Sequence, residues 1–136
     1  FHWRVVELKS PKARMFNRNG DPSAKLTHAI RQIQDWRSWL SKNGSYAHRK
    51  VSRGGLGLHG IRATAPGVIY IGRADDLDDS NQDRRAQMSD ELRIDIATYD
   101  RLLRFVAFLS QNFDELPSIA EPVGGANSGS AGAPPE

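Results

Sequence analysis

Cysteine is absent from the 136 residues, aromatic residues make up only 8% of them, and no long apolar run occurs. Without cysteine the chain has no disulfide framework and no thiolate metal site, which leaves carboxylates, four histidines and main-chain carbonyls as ligands. If a metal binds, a hard cation that prefers oxygen is therefore favoured. Because there is no stretch of about 18 apolar residues and no apolar signal-peptide core, nothing indicates export or a membrane.

The residues that are present suit one domain with a modest core, or part of one. A hydrophobic fraction of 38% and a charged fraction of 26% do not fit two domains or a fully disordered chain. The first residue is Phe1, and the chain opens directly in a strand-like run. We therefore expect these residues to begin inside a larger protein.

Charge is distributed unevenly along the chain. Residues 1–62 carry 13 Lys and Arg against three acids, a net charge of +10, whereas the remaining residues carry six against 13, a net charge of −7. A basic half beside an acidic half is an electrostatic footprint that suits a polyanion such as nucleic acid. Ordinary surface variation produces the same pattern, so charge suggests a partner without indicating a reaction.

Apolar periodicity predicts strands that alternate with helices, the pattern of an α/β domain. A strand over 3–9 places Val6 and Leu8 on one face and Glu7 and Lys9 on the other. The compact apolar run 68–71 is typical of a buried strand at the centre of the sheet. The other predicted elements are a strand over 92–96 and helices over 21–44, 78–89 and 99–112.

Capping residues and apolar spacing predict where the helices begin and which faces are apolar. Asp21 is the expected N-cap of the first helix, and Trp36 or Arg37 belongs to its apolar stripe. Thr98 is a natural N-cap for the last helix. The apolar face of that helix holds Leu102, Leu103, Val106 and Leu109.

Two segments lack the periodicity of a helix or a strand. Residues 45–62 are rich in glycine and basic side chains, which predicts a flexible loop or a weak hairpin. From residue 117 onward Gly, Ala, Ser and Pro dominate. We therefore expect a disordered tail over 117–136 after a domain over 1–116.

Glu7 and Lys9 lie two residues apart on one strand face, so a carboxylate and an ammonium can share one pocket. An E-x-K pair on a strand is also the ordinary pattern of an exposed ion pair on the solvent side. Gln32 on the following helix shares a face with His28, one turn earlier, and Trp36, one turn later. Gln32 taken alone is typical of a helix surface. His28 suits either a role at the site or an ordinary helix surface, and the second is the more common case.

Four short motifs follow one another in the order of a known family. They are Val6-Glu7-Leu8-Lys9-Ser10-Pro11, the run from Ala29 to Trp36 with Gln32, Ile71-Gly72-Arg73, and Thr98-Tyr99-Asp100-Arg101-Leu102-Leu103. A strand-borne E-x-K followed by a helical Q-x-x-x-aromatic resembles the PD-(D/E)XK nuclease superfamily. Together the motifs resemble the nuclease domain of the Shedu family of bacterial anti-phage defence proteins. The resemblance implies a restriction-endonuclease-like mixed sheet flanked by helices, with the N-terminal part of the fold missing from this chain.

The same resemblance implies a Mg²⁺-dependent endonuclease that cuts the double-stranded DNA of invading phage, with Mn²⁺ able to substitute. Glu7 and the main-chain carbonyl of Leu8 would be metal ligands. Lys9 would position or deprotonate the attacking water, or stabilise the phosphate, and Gln32 would orient the water or the metal shell.

The family normally adds an Asp on the strand before the E-x-K strand, and these residues lack it, so we expect only part of an active site. Asp21 and Asp35 do not replace it, since the first is a cap and the second lies off the face of Gln32. A non-catalytic nucleic-acid-binding or assembly module with the same fold is therefore the alternative. A third hypothesis is an interaction domain in which Glu7 and Lys9 form a surface pair.

Basic side chains on loops are candidate contacts for a phosphate backbone, because Lys and Arg neutralise phosphates without reading sequence. A solvated basic loop is the alternative. The candidates are Lys12, Arg14 and Arg18 in one segment and Arg49, Lys50 and Arg53 in another.

Arg73, after a buried strand, suits either a phosphate contact or structural bracing. No recognition helix or zinc module is evident, so duplex DNA is the expected partner without strong sequence choice. The resemblance also implies self-association and a bacterial cytoplasmic location.

Overall fold

The structure is a computed structural model that describes residues 2–112. The predicted tail over 117–136 and the predicted boundary at residue 116 lie outside the described residues. The elements follow one another as β1 (Val5–Leu8), α1 (Ala24–His48), a 3-10 turn (Val51–Arg53), β2 (Gly67–Tyr70), a second 3-10 turn (Ala74–Asp76), α2 (Asp79–Leu92), β3 (Ile94–Ala97) and α3 (Tyr99–Gln111).

The three strands form a parallel sheet in the order β1-β2-β3. The register aligns Val5 with Gly67 and Gly67 with Ile94. The prediction of an α/β domain with residues 68–71 at the centre of the sheet is therefore confirmed. Both pairings among the described strands are parallel, whereas a mixed sheet was expected.

The main core lies between one face of this sheet and the helices α1 and α2. Gly67 admits α1 closely, because a Cβ there would stand 2.7 Å from Cγ2 of Ile33. Met88 and Leu92 of α2 pack against the same cluster. Its buried members are Met15, Phe16, Leu26, Ala29, Ile33, Ile69, Ile71, Ile94 and Ile96.

Helix α1 begins and ends later than the capping signals predicted. Its N-cap is Ser23, whose Oγ accepts a hydrogen bond from the amide of Leu26 at 3.1 Å. The prediction of Asp21 as N-cap is wrong, because its carboxylate accepts instead from Nδ2 of Asn19 at 2.7 Å. The helix extends to His48, although Asn43 has non-helical dihedral angles. Ala47, near this end, is fully buried in a second apolar cluster, which holds the last turn in place.

The segment after α1 is neither a hairpin nor detached from the core. Its first four residues complete α1, and Nε2 of His48 lies 2.5 Å from the carbonyl oxygen of Ile61. The indole of Trp3 donates to the carbonyl of His59 at 2.7 Å. The predicted loop is therefore wrong for residues 45–48, which are helical, and no hairpin forms, whereas residues 49–62 are a loop with turns packed against Ala47 and Trp3.

Arg37 rather than Trp36 occupies the inward position of α1. Its guanidinium donates to the carbonyls of Leu92 at 3.1 Å and Arg93 at 2.7 Å, whereas Trp36 is 48% exposed. Leu92 is the last residue of α2, and Arg93 is its left-handed C-cap with a φ of 51°. β3 consequently begins at Ile94, two residues later than predicted.

Helix α3 leaves the sheet directly after β3, and its predicted bounds are confirmed to within one residue. Thr98 stands at the N-cap position, but its side chain makes no capping hydrogen bond. No residue of α3 is buried among the described residues. The apolar face predicted for this helix therefore stays open, with Leu103 and Val106 more than half exposed.

No helix within residues 2–112 combines the length and the apolar character that crossing a bilayer requires.

Candidate active site

Glu7 and Lys9 project from β1 toward α1 rather than toward solvent. The strand alternates so that Val6 and Leu8 are 51% and 60% exposed, while the side chains of Glu7 and Lys9 are only 19% and 14% exposed. The predicted division of the strand into two faces is therefore confirmed. Nζ of Lys9 lies 2.9 Å from Oε1 of Glu7, so the pair is largely shielded, unlike the exposed ion pair of the alternative interpretation.

Two side chains of α1 complete the surroundings of the Lys9 ammonium. It donates to Oε1 of Gln32 at 2.5 Å and lies 3.3 Å from Nδ1 of His28. With Glu7, these residues give each of its three protons an acceptor. Because the ammonium of Lys9 can only donate, we assign Nδ1 of His28 as the acceptor and place the ring proton on Nε2.

Trp36 does not join this group. Its ring packs edge-on against Trp39 with centroids 5.7 Å apart. His28 is exposed on the helix surface, as the more common interpretation has it, and it also lies beside Lys9. Its spacing of one turn from Gln32, visible in the sequence, places it on the face that meets the E-x-K strand.

Residues at the carboxyl ends of the strands hold the backbone of Lys9 in place. The hydroxyl of Tyr99 donates to the Lys9 carbonyl at 2.5 Å, and the Tyr99 amide donates to the carbonyl of Gly72 at 3.1 Å. The amide of Gly72 in turn donates to the carbonyl of Ser10 at 3.2 Å. Tyr99 also packs against Tyr70 with ring centroids 6.3 Å apart. Sequence reasoning assigned Tyr99 only to a helix start and missed this contact.

Gly72 is required at this junction for two reasons. Its φ of +65° is a left-handed conformation that favours glycine. A Cβ there would also stand 2.6 Å from the carbonyl oxygen of Ala13, in the turn that follows Lys9. A side chain at residue 72 would therefore displace the backbone that carries Lys9.

Arg73 is paired with Asp100, which supports bracing rather than a phosphate contact. Nη2 and Nε of Arg73 donate to Oδ1 of Asp100 at 2.7 and 3.1 Å, and the amide of Ala74 donates to Oδ2 at 2.7 Å. The hydrogen bonds from Arg73 and then from Ala74 lower the pKa of Asp100 from 3.8 to about 2. The ion pair joins the end of β2 to the start of α3.

Substituting Asp100 with Asn is expected to remove part of the acid sensitivity of folding. The pKa of Asp100 is lower in the folded state, so its contribution is present above about pH 4 and is lost as pH falls toward about 2. The difference in urea midpoint between the wild type and Asp100→Asn should therefore be constant near neutrality and shrink between about pH 4 and 2. An equal difference at both ends of that range would contradict this assignment.

Substituting Tyr99 with Phe should lower stability modestly and loosen the backbone of Lys9. The change removes one hydrogen bond, with a net contribution of about 1 kcal/mol, and frees the carbonyl of Lys9. We therefore expect a lower urea midpoint and faster hydrogen exchange at the amide of Lys9, which donates to the carbonyl of Tyr70. Urea unfolding and amide hydrogen exchange measure the two effects. Tyr46→Phe is the matched control, since that exposed tyrosine lies outside the site.

The donor set for a metal ion is small but chemically suitable. The amide of Val5 donates to the carbonyl of Pro66, just before β2, and the amide of Lys9 donates to that of Tyr70 in β2. By alternation the carbonyl of Leu8 therefore points to the open edge of β1. Glu7 adds one carboxylate. Within residues 2–112 no group of three or more His, Asp or Glu side chains could hold a metal. Mg²⁺ accepts such a site, since it often binds through one or two carboxylates, water and substrate phosphate.

The predicted DNA-binding residues fall into two separate groups. Lys12, Arg14 and Arg18 are exposed in the turn region after Lys9, at the same end of the sheet. The second group lies beyond Asn43, where the helix has non-helical dihedrals and which is already 15 residues, roughly 22 Å, past His28 along α1. Its members, Arg49, Lys50 and Arg53, are exposed but do not adjoin the Lys9 cluster.

Comparison with known proteins adds a family assignment to this geometry. The model of the family described as "Shedu protein SduA, C-terminal" matches residues 2–103. The matched range contains Glu7, Lys9 and Gln32 together with the Gly72 and Tyr99 contacts. No curated protein and no solved structure matches the chain.

Proposed function

Because the chain belongs to the Shedu SduA C-terminal family, we propose that it is the PD-(D/E)XK nuclease portion of a bacterial, cytoplasmic anti-phage defence protein. Family membership supports a role in Shedu defence. The proposed reaction is the metal-dependent hydrolysis of phosphodiester bonds in invading double-stranded DNA. The observation that carries the proposal is the shielded cluster in which Glu7, Gln32 and His28 surround the Lys9 ammonium.

Each side chain of the cluster has a chemical task in this reaction. Glu7 and the Leu8 carbonyl would hold Mg²⁺, with Mn²⁺ as a substitute. The metal, when bound, offsets the charge of the phosphorane-like transition state and acidifies the attacking water. Lys9 presents a fixed ammonium that exchanges one acceptor for a phosphate oxygen or for that water. Gln32 accepts from Lys9 through Oε1, which leaves its amide protons to orient the water.

A non-catalytic nucleic-acid-binding or assembly module is the second candidate. It is favoured by the donor set, since the described cluster contains one carboxylate. A surface interaction pair is less compatible with side chains of Glu7 and Lys9 that are less than one-fifth exposed.

The test is cleavage of linear and supercoiled plasmid DNA by the full-length protein with Mg²⁺, Mn²⁺ or EDTA. We expect cleavage in either metal and none in EDTA, and Glu7→Ala should abolish it. Glu91→Ala is the matched control, because Glu91 is an exposed carboxylate at the end of α2. DNA binding without cleavage under any metal would favour the non-catalytic module.

We also propose that two copies associate through α3. Its exposed apolar side chains, 45–61% accessible, are Leu103, Phe105, Val106, Phe108 and Leu109. An aromatic side chain buries about 200 Å² when covered, so two such faces approach the total of about 1,000 Å² that a specific interface needs. We propose a second copy of the chain as the partner that covers this face, because its own α3 is equally apolar.

Replacing Phe105 and Phe108 together by Ser should lower the mass of the assembly in sedimentation experiments. Val51→Ser is the control, since Val51 is 71% exposed outside α3. An unchanged mass for the double variant would assign the apolar face to another segment of the protein.

A further inference from the structure

Three adjoining cavities surround Pro66 at the amino ends of the strands, the end of the sheet opposite to Lys9. Their volumes are about 300, 330 and 330 Å³. They share walls, because Arg4 lines the first and third and Arg93 lines the second and third. Arg4 immediately precedes β1 and Arg93 immediately precedes β3. Lys9 lies five positions after Arg4 in the sequence, which is roughly 17 Å along an extended strand.

Four arginines line these cavities, which we call the arginine cavities: Arg4, Arg37, Arg62 and Arg93. Among residues 2–112, the side chains of Arg4, Arg62 and Arg93 make no hydrogen bond or ion pair and are exposed. Arg37 is anchored on two carbonyls, and its buried Nε has no hydrogen-bond partner in the described part of the chain. The donors of these three exposed guanidinium groups and the unpaired Nε of Arg37 are therefore free to bind an anion.

The backbone holds Arg93 in an unfavourable conformation beside Arg37. Its φ of 51° is the left-handed value that helix C-termini normally assign to Gly or Asn. Arg93 is the one residue other than glycine with positive φ in residues 2–112. The carbonyl of Arg93 accepts from Nη2 of Arg37 at 2.7 Å, so the Arg37 guanidinium is fixed against the backbone of Arg93, and both residues line the second cavity.

Acidic side chains do not neutralise this site. Asp90 and Asp95 line the third cavity, but Asp95 is already paired with Arg101. The remaining acid, Asp90, lines the third cavity together with Arg4 and Arg93. Four arginines against two aspartates give the lining of the three cavities a net charge of +2.

We propose that the arginine cavities bind phosphate oxygens, for which planar guanidinium groups are the best-suited protein donors. The ligand is either a phosphodiester of a DNA backbone or a free phosphate such as that of a nucleotide. The site is separate from the Glu7 and Lys9 cluster, and it does not depend on cleavage. On duplex DNA it would add contacts remote from the scissile bond, and on a small phosphate it would form an effector site.

The test compares the full-length wild type with the Arg62→Gln/Arg93→Gln variant in EDTA, so that cleavage does not enter. Arg31→Gln is the control, since Arg31 is an exposed α1 residue that does not line these cavities. The probes are a labelled 20-base-pair duplex, measured by anisotropy across salt concentrations, and inorganic phosphate or ADP, measured by thermal shift. Circular dichroism checks that each variant folds.

We expect the double variant to weaken duplex binding by about tenfold or more and to flatten the salt dependence by about two counterions. That result with no thermal shift in phosphate or ADP assigns the site to the DNA backbone. A thermal shift in the wild type that the double variant loses assigns it to a free phosphate. The proposal is overturned if the double variant matches the wild type with every probe, or if Arg31→Gln causes an equal loss.

Discussion

Replacing Lys9 by Met in the full-length protein is expected to lower the rate of DNA cleavage by at least about 10²-fold. Met keeps the length of the side chain but removes the ammonium that contacts Glu7, Gln32 and His28. DNA affinity should change little, because the phosphate contacts proposed elsewhere are exposed Lys and Arg. Single-turnover cleavage and anisotropy in EDTA measure the two quantities separately.

The controls for Lys9→Met separate catalysis from stability. The substitution leaves the partly buried carboxylate of Glu7 without its cation, which by itself costs about 1–3 kcal/mol. The Glu7→Gln/Lys9→Met variant removes both charges, so it should recover stability and remain inactive. Lys25→Met changes the same charge on an exposed position of α1 and should be active. A Lys9→Met protein that cuts at the wild-type rate would overturn the nuclease proposal.

The faces of β1 and α1 could be predicted from the sequence because they depend on local periodicity. Strict alternation over 6–9 is enough to place Glu7 and Lys9 on one side of the strand. The helical spacing of Leu26, Ile33 and Leu40 likewise identified the buried face of α1. Neither inference requires knowledge of a distant residue.

The ends of the elements were less predictable where two local signals competed. Asp21 and Ser23 are both good N-cap residues, and the turn that engages Asp21 with Asn19 decides between them. The alternation of Leu92, Ile94 and Ile96 continues across a helix end, so it extended the predicted strand into α2. In each case the contacts of the folded chain decide the boundary.

The contacts that position the candidate site could not be predicted, because they join residues far apart in sequence. Tyr99 and Lys9 are separated by 90 residues, and their hydrogen bond exists only when the parallel strands are aligned. Arg37 and Arg93 meet in the same way across 56 residues. The motif at 98–100 was visible in the sequence, but its local pattern indicates only a helix start.

Replacing Ile69 by Ala is expected to lower the free energy of unfolding by about 2–5 kcal/mol. Ile69 lies at the centre of β2, is fully buried, and belongs to the cluster that α1 and α2 cover. Removing most of its side chain leaves a cavity that the close-packed core cannot fill. Urea unfolding with an unchanged m-value measures the loss as a shift of the midpoint.

Phe105→Ala provides the contrast for Ile69→Ala, because it removes a larger apolar side chain that is 58% exposed. In the dissociated chain its effect should stay within about 0.5 kcal/mol, as for other surface positions. If α3 pairs two copies, the effect of Phe105→Ala must grow with protein concentration, whereas that of Ile69→Ala persists at every concentration. Equal losses for the two variants at high dilution would instead place α3 against the core of its own chain. The comparison therefore distinguishes an apolar face that stabilises the domain from one that serves its assembly.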